Sequence, residues 1–248
     1  MSDFTLFVCT FNSQRTLARC LSSLRRSSPD SKLVVVDHSS TDATGAICER
    51  YGAEVHTENV GLGRARQICF ELCTSKYLVF VDSDVEIVEC KFFERAARVL
   101  DSAETGAVVG MAVGHRLAYG LPASLLVLRS SDFGGIQIPD YIDARETYFI
   151  QGRLDERHLR TAYLADAMVH RSQYRGMKPE WEGANTRLAD GFHVRQLAFA
   201  LKVIILMSLN SGSTRNVAYV PLFYLKFLRG FVKPMTFQRL ERGPEGED

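Results

Sequence analysis

Tyr77-Leu-Val-Phe-Val-Asp82-Ser-Asp84-Val85 is the stretch whose reading decides the fold. Tyr77 to Val81 is a continuous, mostly apolar run. Such runs suit a strand of a parallel sheet covered on both faces. The run stops abruptly at two carboxylates, Asp82 and Asp84, with one small residue between them. In open α/β folds ligands bind where the chain leaves the carboxyl ends of the strands. Residues i and i+2 of a strand point the same way. The spacing therefore predicts that Asp82 and Asp84 reach one cation, or divide a cation and a sugar hydroxyl between them. Hard oxygen ligands suit Mg²⁺ or Mn²⁺, with phosphate oxygens completing the shell. The plainer reading is an acidic turn after a strand, because Asp-x-Asp is a short motif.

On the N-terminal side the chain alternates strands with helices. Thr5 to Thr10 reads as a strand, Phe11-Asn12-Ser13 as a turn, and Leu17, Cys20, Leu21 and Leu24 recur at helical spacing. Leu33 to Val36 is a second buried strand ending in Asp37, followed by cap chemistry at His38 to Asp42 and a helix to about Tyr51, where Gly52 stops it. Ala53 to His56 is a short strand, and Asn59-Val-Gly61-Leu-Gly63 opens a helix over residues 64–73. Beyond the central strand, a helix is expected over 91–100 and a strand over 107–113. That order predicts an α/β fold with a doubly wound, mostly parallel sheet. His115 to Ile138 reads as a loop-rich region, Glu146 to His158 as a helix, and Thr161 to Val169 as a strand ending at His170.

The chain has 248 residues, room for one large α/β domain with an appendage. A formal net charge of +1 carries no basic footprint, so nucleic acid is not an expected partner. The N-terminus runs almost directly into a strand and lacks the basic region, apolar stretch and cleavage site of a secretory signal. The six cysteines are scattered, mostly among apolar neighbours, and read as reduced core residues. Both features lead to the expectation of a cytoplasmic protein.

Four motifs then fall into one order. Cys9-Thr10-Phe11-Asn12 resembles the Pro-Thr-Tyr-Asn opening of family 2 glycosyltransferases, and Val36-Asp37-His38-Ser-Ser-Thr-Asp42 resembles their Val-Asp-Asp-Gly-Ser-Thr-Asp. Asn59-Val-Gly61 through Ala65-Arg66-Gln67 resembles their Asn-x-Gly and Ala-Arg-Asn, and Phe80-Val-Asp82-Ser-Asp84 their Asp-x-Asp metal motif. The resemblance implies a GT-A fold, a nucleotide-sugar donor (UDP-, GDP- or dTDP-linked), Mn²⁺ or Mg²⁺, and inversion at the anomeric carbon. It implies that Thr10 and Asn12 line the nucleotide pocket, that Asp37 lies near the base, and that Arg66 reaches toward the uridine or diphosphate. Asp82 would hold ribose or metal and Asp84 the metal. Taken singly, Asp37 reads equally as a helix cap and Arg66 as a solvated helix residue.

Tyr163-Leu-Ala-Asp166-Ala-Met-Val-His170 resembles the family's later Asp-Ala-x-Val-x-His. Counting back by the family spacing sets Glu146-Thr147 where Glu-Asp is expected. Thr147 then stands at the position of the base, and a hydroxyl cannot act as a general base at neutral pH. Glu146 is the nearest carboxylate, with Asp143 a second candidate; a base on the acceptor hydroxyl is what an inverting transfer needs. The alternative for Glu146 is a helix N-terminal charge that complements the dipole. His170 reads as a structural histidine, or as one that approaches the metal.

In this frame, residues 1–113 form the nucleotide-sugar-binding half and 114–192 the acceptor and catalytic half of one domain. Residues 193–242 form C-terminal helices and 243–248 a frayed tail. Trp181, in a loop flanked by glycine and proline, reads as an acceptor lid or a packed loop, and Arg187-Leu-Ala-Asp190-Gly191 resembles a segment of rhamnosyltransferase-like members. Leu197 to Leu209 is nearly all apolar but too short to span a bilayer, which takes about 20 residues. In residues 217–233 a stripe of Val217, Val220, Tyr224, Phe227, Leu228 and Phe231 opposes Lys226, Arg229 and Lys233. That pattern suits a helix lying on an anionic membrane surface; its alternatives are packing on the domain or a homodimer contact. The expected acceptor is a glycan or a polyprenol-linked sugar.

Two other enzyme classes fit less well. A nucleotidyltransferase needs a glycine-rich phosphate loop, and residues 10–14 contain no glycine. A dinucleotide oxidoreductase needs a third glycine where Arg66 stands. A catalytically degenerate nucleotide-sugar-binding scaffold at the membrane is the non-enzymatic alternative, and Thr147 is the residue that speaks for it.

Overall fold

The computed structural model describes residues 3–172 and 178–232; Lys233 and the 243–248 tail lie outside the described residues. Three apolar runs form the centre of one sheet: β1 (Phe4–Thr10), β2 (Lys32–Asp37) and β4 (Tyr77–Asp82), with β1 parallel to both others. Their burial on both faces explains the absence of polar alternation. Leu6 and Val8 pack with Leu17 and Leu21 of helix α1 (Leu17–Ser27) on one face. Phe7, Val34 and Phe80 pack with Ala65 and Cys69 of α3 (Leu62–Leu72) on the other. Short β3 (Glu54–Thr57) closes one edge, parallel to β2, after helix α2 (Thr44–Arg50).

The other half of the sheet is mixed. β6 (Thr105–Ala112), which follows α4 (Phe92–Leu100), runs parallel to β8 (Arg160–His170). β7 (Leu125–Arg129) lies antiparallel between β4 and β6. β5 (Val85–Ile87) lies antiparallel to β8 at the far edge, which completes the order β3-β2-β1-β4-β7-β6-β8-β5. This corrects two sequence expectations. The region 115–138, read as loop, contains the fully buried strand Leu125-Leu-Val-Leu128. Its four apolar residues are bracketed by Gly120, Pro122 and the Asp132–Gly135 cluster, and that turn chemistry outweighed a run too short to show a period. Cys90, expected in the core with the other cysteines, is exposed.

The C-terminal part is helical: α5 (Thr147–Glu156), α6 (Pro179–Asp190), α7 (Val194–Asn210), α8 (Thr214–Ala218) and α9 (Val220–Val232). The stretch expected to be an aromatic loop around Trp181 is instead the first turn of α6. Pro179 at its start and Glu180 and Glu182 in its first turn are helix-start chemistry that the flanking glycine and proline obscured. The single helix expected over 217–233 is broken after Ala218.

The Phe227–Phe231 face of α9 is not left open. Both rings are buried with Ala200 and Ile204 of α7. α9 also crosses α6 with backbone against backbone. A methyl group on Gly183 would overlap the Phe227 carbonyl, and one on Gly230 would overlap the Glu180 carbonyl. Arg229 Nε adds an ion pair to Glu180 at 3.2 Å. Gly230→Leu is expected to lift α9 off α6 and destabilise the protein by about 1–3 kcal/mol, as overpacking does. Urea denaturation measures the loss, and limited proteolysis reads whether cleavage begins within residues 220–232.

Candidate functional site

The site is assembled at the carboxyl ends of adjacent strands. Register sets Thr10 opposite Asp37 and Cys9 opposite Asp82, so β1, β2 and β4 deliver Thr10, Asp37 and Asp82 to one edge. Arg66, one turn into α3, projects into the same edge and is 2% exposed. Its Nη2 donates to Asp82 Oδ1 at 3.2 Å, and its Nε lies 3.5 Å from Glu146 Oε1. The guanidinium also lies over the Phe80 ring, 4.6 Å from its centroid. Burial works against the charge on Arg66, but the anionic groups around it, Glu146 and Asp82 among them, hold it firmly protonated. Burial raises the Glu146 carboxyl, and Arg66 opposes that; the balance leaves it above the ordinary carboxylate value. Nε and Nη1 of Arg66 and Oγ1 of Thr10 are buried without a hydrogen-bond partner. Orphaned buried donors of this kind are unusual in a core, and a water, an ion or a ligand would satisfy them.

Asp82 and Asp84 do not share a direction. β4 ends at Asp82, and the chain turns through Ser83 before β5 starts, so the strand alternation that aligns i with i+2 stops there. Asp82 faces Arg66. Asp84 faces β8, with both carboxylate oxygens 3.4 Å from His170 Nδ1 and a short hydrogen bond from Ser172 Oγ. Burial tends to raise the Asp84 carboxyl, but the bonds from His170 and Ser172 outweigh it and leave it lowered. The hydrogen bond to Asp84 raises the His170 imidazolium. Among the described residues no three His, Cys, Asp or Glu side chains converge as a ready-made metal cage. A carboxylate and an imidazole facing one another nevertheless fit the protein's share of a Mg²⁺ or Mn²⁺ site, in which phosphate oxygens and water supply the other ligands.

At the opposite end the loops after β1 and β2 are stitched together. Asn12, at φ 45°, accepts Thr41 N–H on its Oδ1 at 2.9 Å, and its own N–H donates to Ser40 Oγ at 2.8 Å. Asp37 accepts Ser40 N–H at 2.9 Å. His38 bonds closely to buried Glu58, whose other oxygen accepts the N–H groups of Val60 and Gly61 at 2.7 and 2.8 Å. Sequence reasoning missed Glu58; its spacing before Asn59-x-Gly61 was the available signal. Asp143 packs against Gly61, where φ is 153° and a methyl group would meet the Asp143 carboxylate.

Residues 5–133 match the family model described as Glycosyl transferase family 2. The chain belongs to that family. The matched span runs from β1 to η1 (Ser130–Phe133), a short 3₁₀ turn, and includes every site residue described above except Asp143, Glu146, His170 and Ser172. The chain is similar to the putative glycosyltransferase EpsH of Bacillus subtilis, 31% identical over 101 residues, which are 38% of this chain and 29% of EpsH. It is 29% identical over 111 residues to the poly(ribitol-phosphate) beta-N-acetylglucosaminyltransferase TarS of Staphylococcus aureus, covering 41% of this chain and 19% of TarS. The chain thus matches under a third of the length of these curated relatives. In structure it resembles the mannosyltransferase PcManGT of Pyrobaculum calidifontis, solved with GDP-Man and Mn²⁺. The TM-score is 0.68 at 15% identity, covering 94% of this chain and 86% of that one. It also resembles S. aureus TarS 1–349 solved with UDP-GlcNAc, with a TM-score of 0.59 at 20% identity over 92% and 72% of the two chains. These neighbours establish the GT-A fold for this family 2 member.

The three residues expected at an acceptor site part company. Trp181 is half-buried in α6, where its carbonyl accepts Asn185 Nδ2. Arg187 stacks over Phe192 at 4.7 Å and reaches the Phe231 carbonyl, which ties it to α9. Asp190 is buried and accepts close hydrogen bonds from Tyr148 and Gln196, with Arg195 Nη2 at 3.4 Å. Of the three, only Asp190 lines the cavity of about 770 Å³ between α5, α6 and α7.

Arg66→Ala leaves Asp82 and Glu146 facing one another without a cation. A loss of about 3–5 kcal/mol is expected in urea, the range for breaking a buried pair from one side. The Glu146 carboxyl, already raised, then rises further. A carboxyl raised in the folded state contributes stability at low pH that is lost as pH climbs through its folded value. The gap between the variant and wild type should therefore be wider at pH 8 than at pH 5, as read from the two urea midpoints.

Proposed function

We propose that this family 2 protein is an inverting glycosyltransferase. It moves a sugar from a nucleoside-diphosphate donor to a glycan or polyprenol-linked hydroxyl with a divalent metal. The observation that carries the reading is the Asp82–Arg66–Glu146 chain of charges at the strand ends, beside the unpartnered Thr10 hydroxyl and Arg66 N–H groups. A diphosphate oxygen or a ribose hydroxyl supplies the acceptors that those donors lack. TarS solved with UDP-GlcNAc and PcManGT solved with GDP-Man and Mn²⁺ support a nucleotide-sugar donor.

In this reading Thr10 and Asn12 line the nucleotide pocket, Asp37 meets the base, and Asp82 takes the ribose. Asp84 and His170 hold Mn²⁺ or Mg²⁺, which when bound supplies charge neutralisation for the departing diphosphate. Arg66 orients Asp82 and Glu146 and adds positive charge on the leaving-group side. Glu146 takes the acceptor proton; its raised carboxyl brings its basicity closer to that of the proton it must accept. Asp143, at the mouth of α3, is the second carboxylate for that role. Attack opposite the leaving group inverts the anomeric carbon. The exposed residues Leu222, Leu225 and Lys226 on the outer side of α9 support a peripheral contact with an anionic membrane. No helix among the described residues is long and apolar enough to cross one.

The second reading is a donor-binding protein without turnover, favoured by Thr147 at the family's base position. Two experiments test these statements. UDP-, GDP- and dTDP-sugars are screened by thermal shift with and without Mn²⁺. One nucleotide class is expected to raise Tm only with metal, and Asp84→Ala to abolish the effect. No shift with any donor overturns the transferase reading. Glu146→Gln should then lower transfer by about 10²–10⁴-fold while still binding donor; a wild type that binds but never turns over donor would establish the second reading. For the membrane contact, wild type should float with vesicles of 30% anionic lipid, a composition chosen on the order of a polybasic-sensitive surface, and Leu225→Asp should not.

A further inference from the structure

Two nucleophilic side chains that the proposed transfer does not use face one another beside Arg66. Cys9 lies on β1 and Cys69 on α3, 60 residues later, and their sulfurs are 3.8 Å apart. By contrast, Cys20 and Cys73 turn their sulfurs to oxygens, the Asp82 carbonyl at 3.5 Å and Ser130 Oγ at 3.3 Å. We propose that Cys9 and Cys69 are a dithiol that a peroxide converts into a reversible disulfide, and that this bond couples oxidation to the strand-end site through Arg66. The disulfide stands apart from the transferase reading; only its effect on donor binding rests on that reading.

The two thiols are unequal. Cys9 is half-buried at the end of its strand, and Cys69 is fully buried. The hydrogen bond with Cys69 and the Arg66 charge lower the Cys9 thiol against the opposing pull of burial. Burial, with the bond to Cys9, raises the Cys69 thiol. The thiolate is the nucleophilic form, so Cys9 is the sulfur that attacks the peroxide. It takes one peroxide oxygen as a sulfenic acid while the O–O bond breaks and one water leaves. The Cys69 sulfur then attacks the Cys9 sulfur. The S–S bond forms as the S–O bond breaks, and the hydroxyl departs with the Cys69 proton as a second water. Two thiols have lost two hydrogens, and one peroxide has become two waters. A dithiol reductant reverses the step by exchange.

The bond acts on the site because of what the two cysteines adjoin. An S–S bond is about 2.05 Å long, so closing the gap draws β1 and α3 together. Arg66 stands three residues before Cys69, on the same face of α3. Cys9 lies opposite Asp82 in the sheet and immediately precedes Thr10. The pull therefore falls on both sides of the contact between Arg66 Nη2 and Asp82 Oδ1. At 3.2 Å that contact is already at the long end of a hydrogen bond.

The test treats the reduced full chain with hydrogen peroxide and then alkylates the remaining thiols. Tryptic fragments 1–15 and 67–76 are expected to be joined, with the loss of two hydrogens. Fragment 67–76 holds both Cys69 and Cys73, so the joint must persist in Cys73→Ser. Cys9→Ser and Cys69→Ser should each abolish it, and dithiothreitol should reverse it. The thermal transition of each variant checks its folding. Hydrogen exchange at residues 62–72 and 146–150 is expected to differ between reduced and oxidised wild type. The nucleotide sugar that raises the Tm of the reduced protein should bind the oxidised form about tenfold or more weaker. A sulfinic acid at Cys9 without a joint, a joint made through Cys73, or unchanged exchange after the joint forms overturns the proposal. So does unchanged donor affinity in a protein that binds donor. A reduced protein that binds no donor removes the transferase reading instead, and the exchange measurement then decides the proposal by itself.

Discussion

Arg66 is the residue on which the site depends. A guanidinium that is 2% exposed cannot remain without anionic company, and it takes Asp82 from the sheet and Glu146 from the start of α5. Those two residues are 64 apart in sequence and belong to opposite halves of the domain. A single charge therefore couples the end of β4 to the start of α5. The pairing is incomplete: Nη1 has no hydrogen-bond partner, and Nε meets Glu146 only as a 3.5 Å ion pair. Phe80, beneath the guanidinium, supplies a π-face that attracts its charge.

The rest of the architecture holds that coupling in register. β7 fills the gap between β4 and β6, so the parallel half and the mixed half form one sheet instead of two. β5 and β8 then bring Asp84 to His170 at the sheet's far edge. Gln67 Oε1 accepts the Ile138 N–H at 2.9 Å, and Gly63 N–H donates to the Ile142 carbonyl at 2.7 Å. These bonds moor the segment before α5 to α3, the helix that carries Arg66. The C-terminal helices are anchored differently, by the close backbone crossing at Gly183 and Gly230 and by the Phe227–Phe231 cluster.

Much of the parallel half was legible in the chain. Apolar runs that end in carboxylates give buried strands, and their alternation with amphipathic helices gives a parallel sheet. β1, β2 and β4 and helices α1 and α3 follow from those patterns almost to the residue. The half that follows β5 was less legible. β7 is only five residues long, and α6 begins at a proline among glycines, so local turn chemistry concealed both. The apolar stripe on α9 was plain in the sequence, but a stripe does not say whether lipid, another subunit or its own domain will cover it.

By itself, the sequence determined the strands and helices from β1 to β4, the family, and the identity of the strand-end residues Thr10, Asp37, Asp82 and Asp84. Each of these depends on neighbours within a few positions, where hydrophobic period and cap chemistry act directly. Only the tertiary structure decided that Asp82 and Asp84 part company, that Arg66 joins Asp82 to Glu146, that Asp190 organises a cavity while Arg187 does not reach it, and that the Phe227–Phe231 face is covered from within. Those outcomes turn on the direction of side chains after a strand ends and on contacts between segments tens of residues apart. No local pattern encodes them, because the energy of a buried charge or a close helix crossing exists only once both partners are in place.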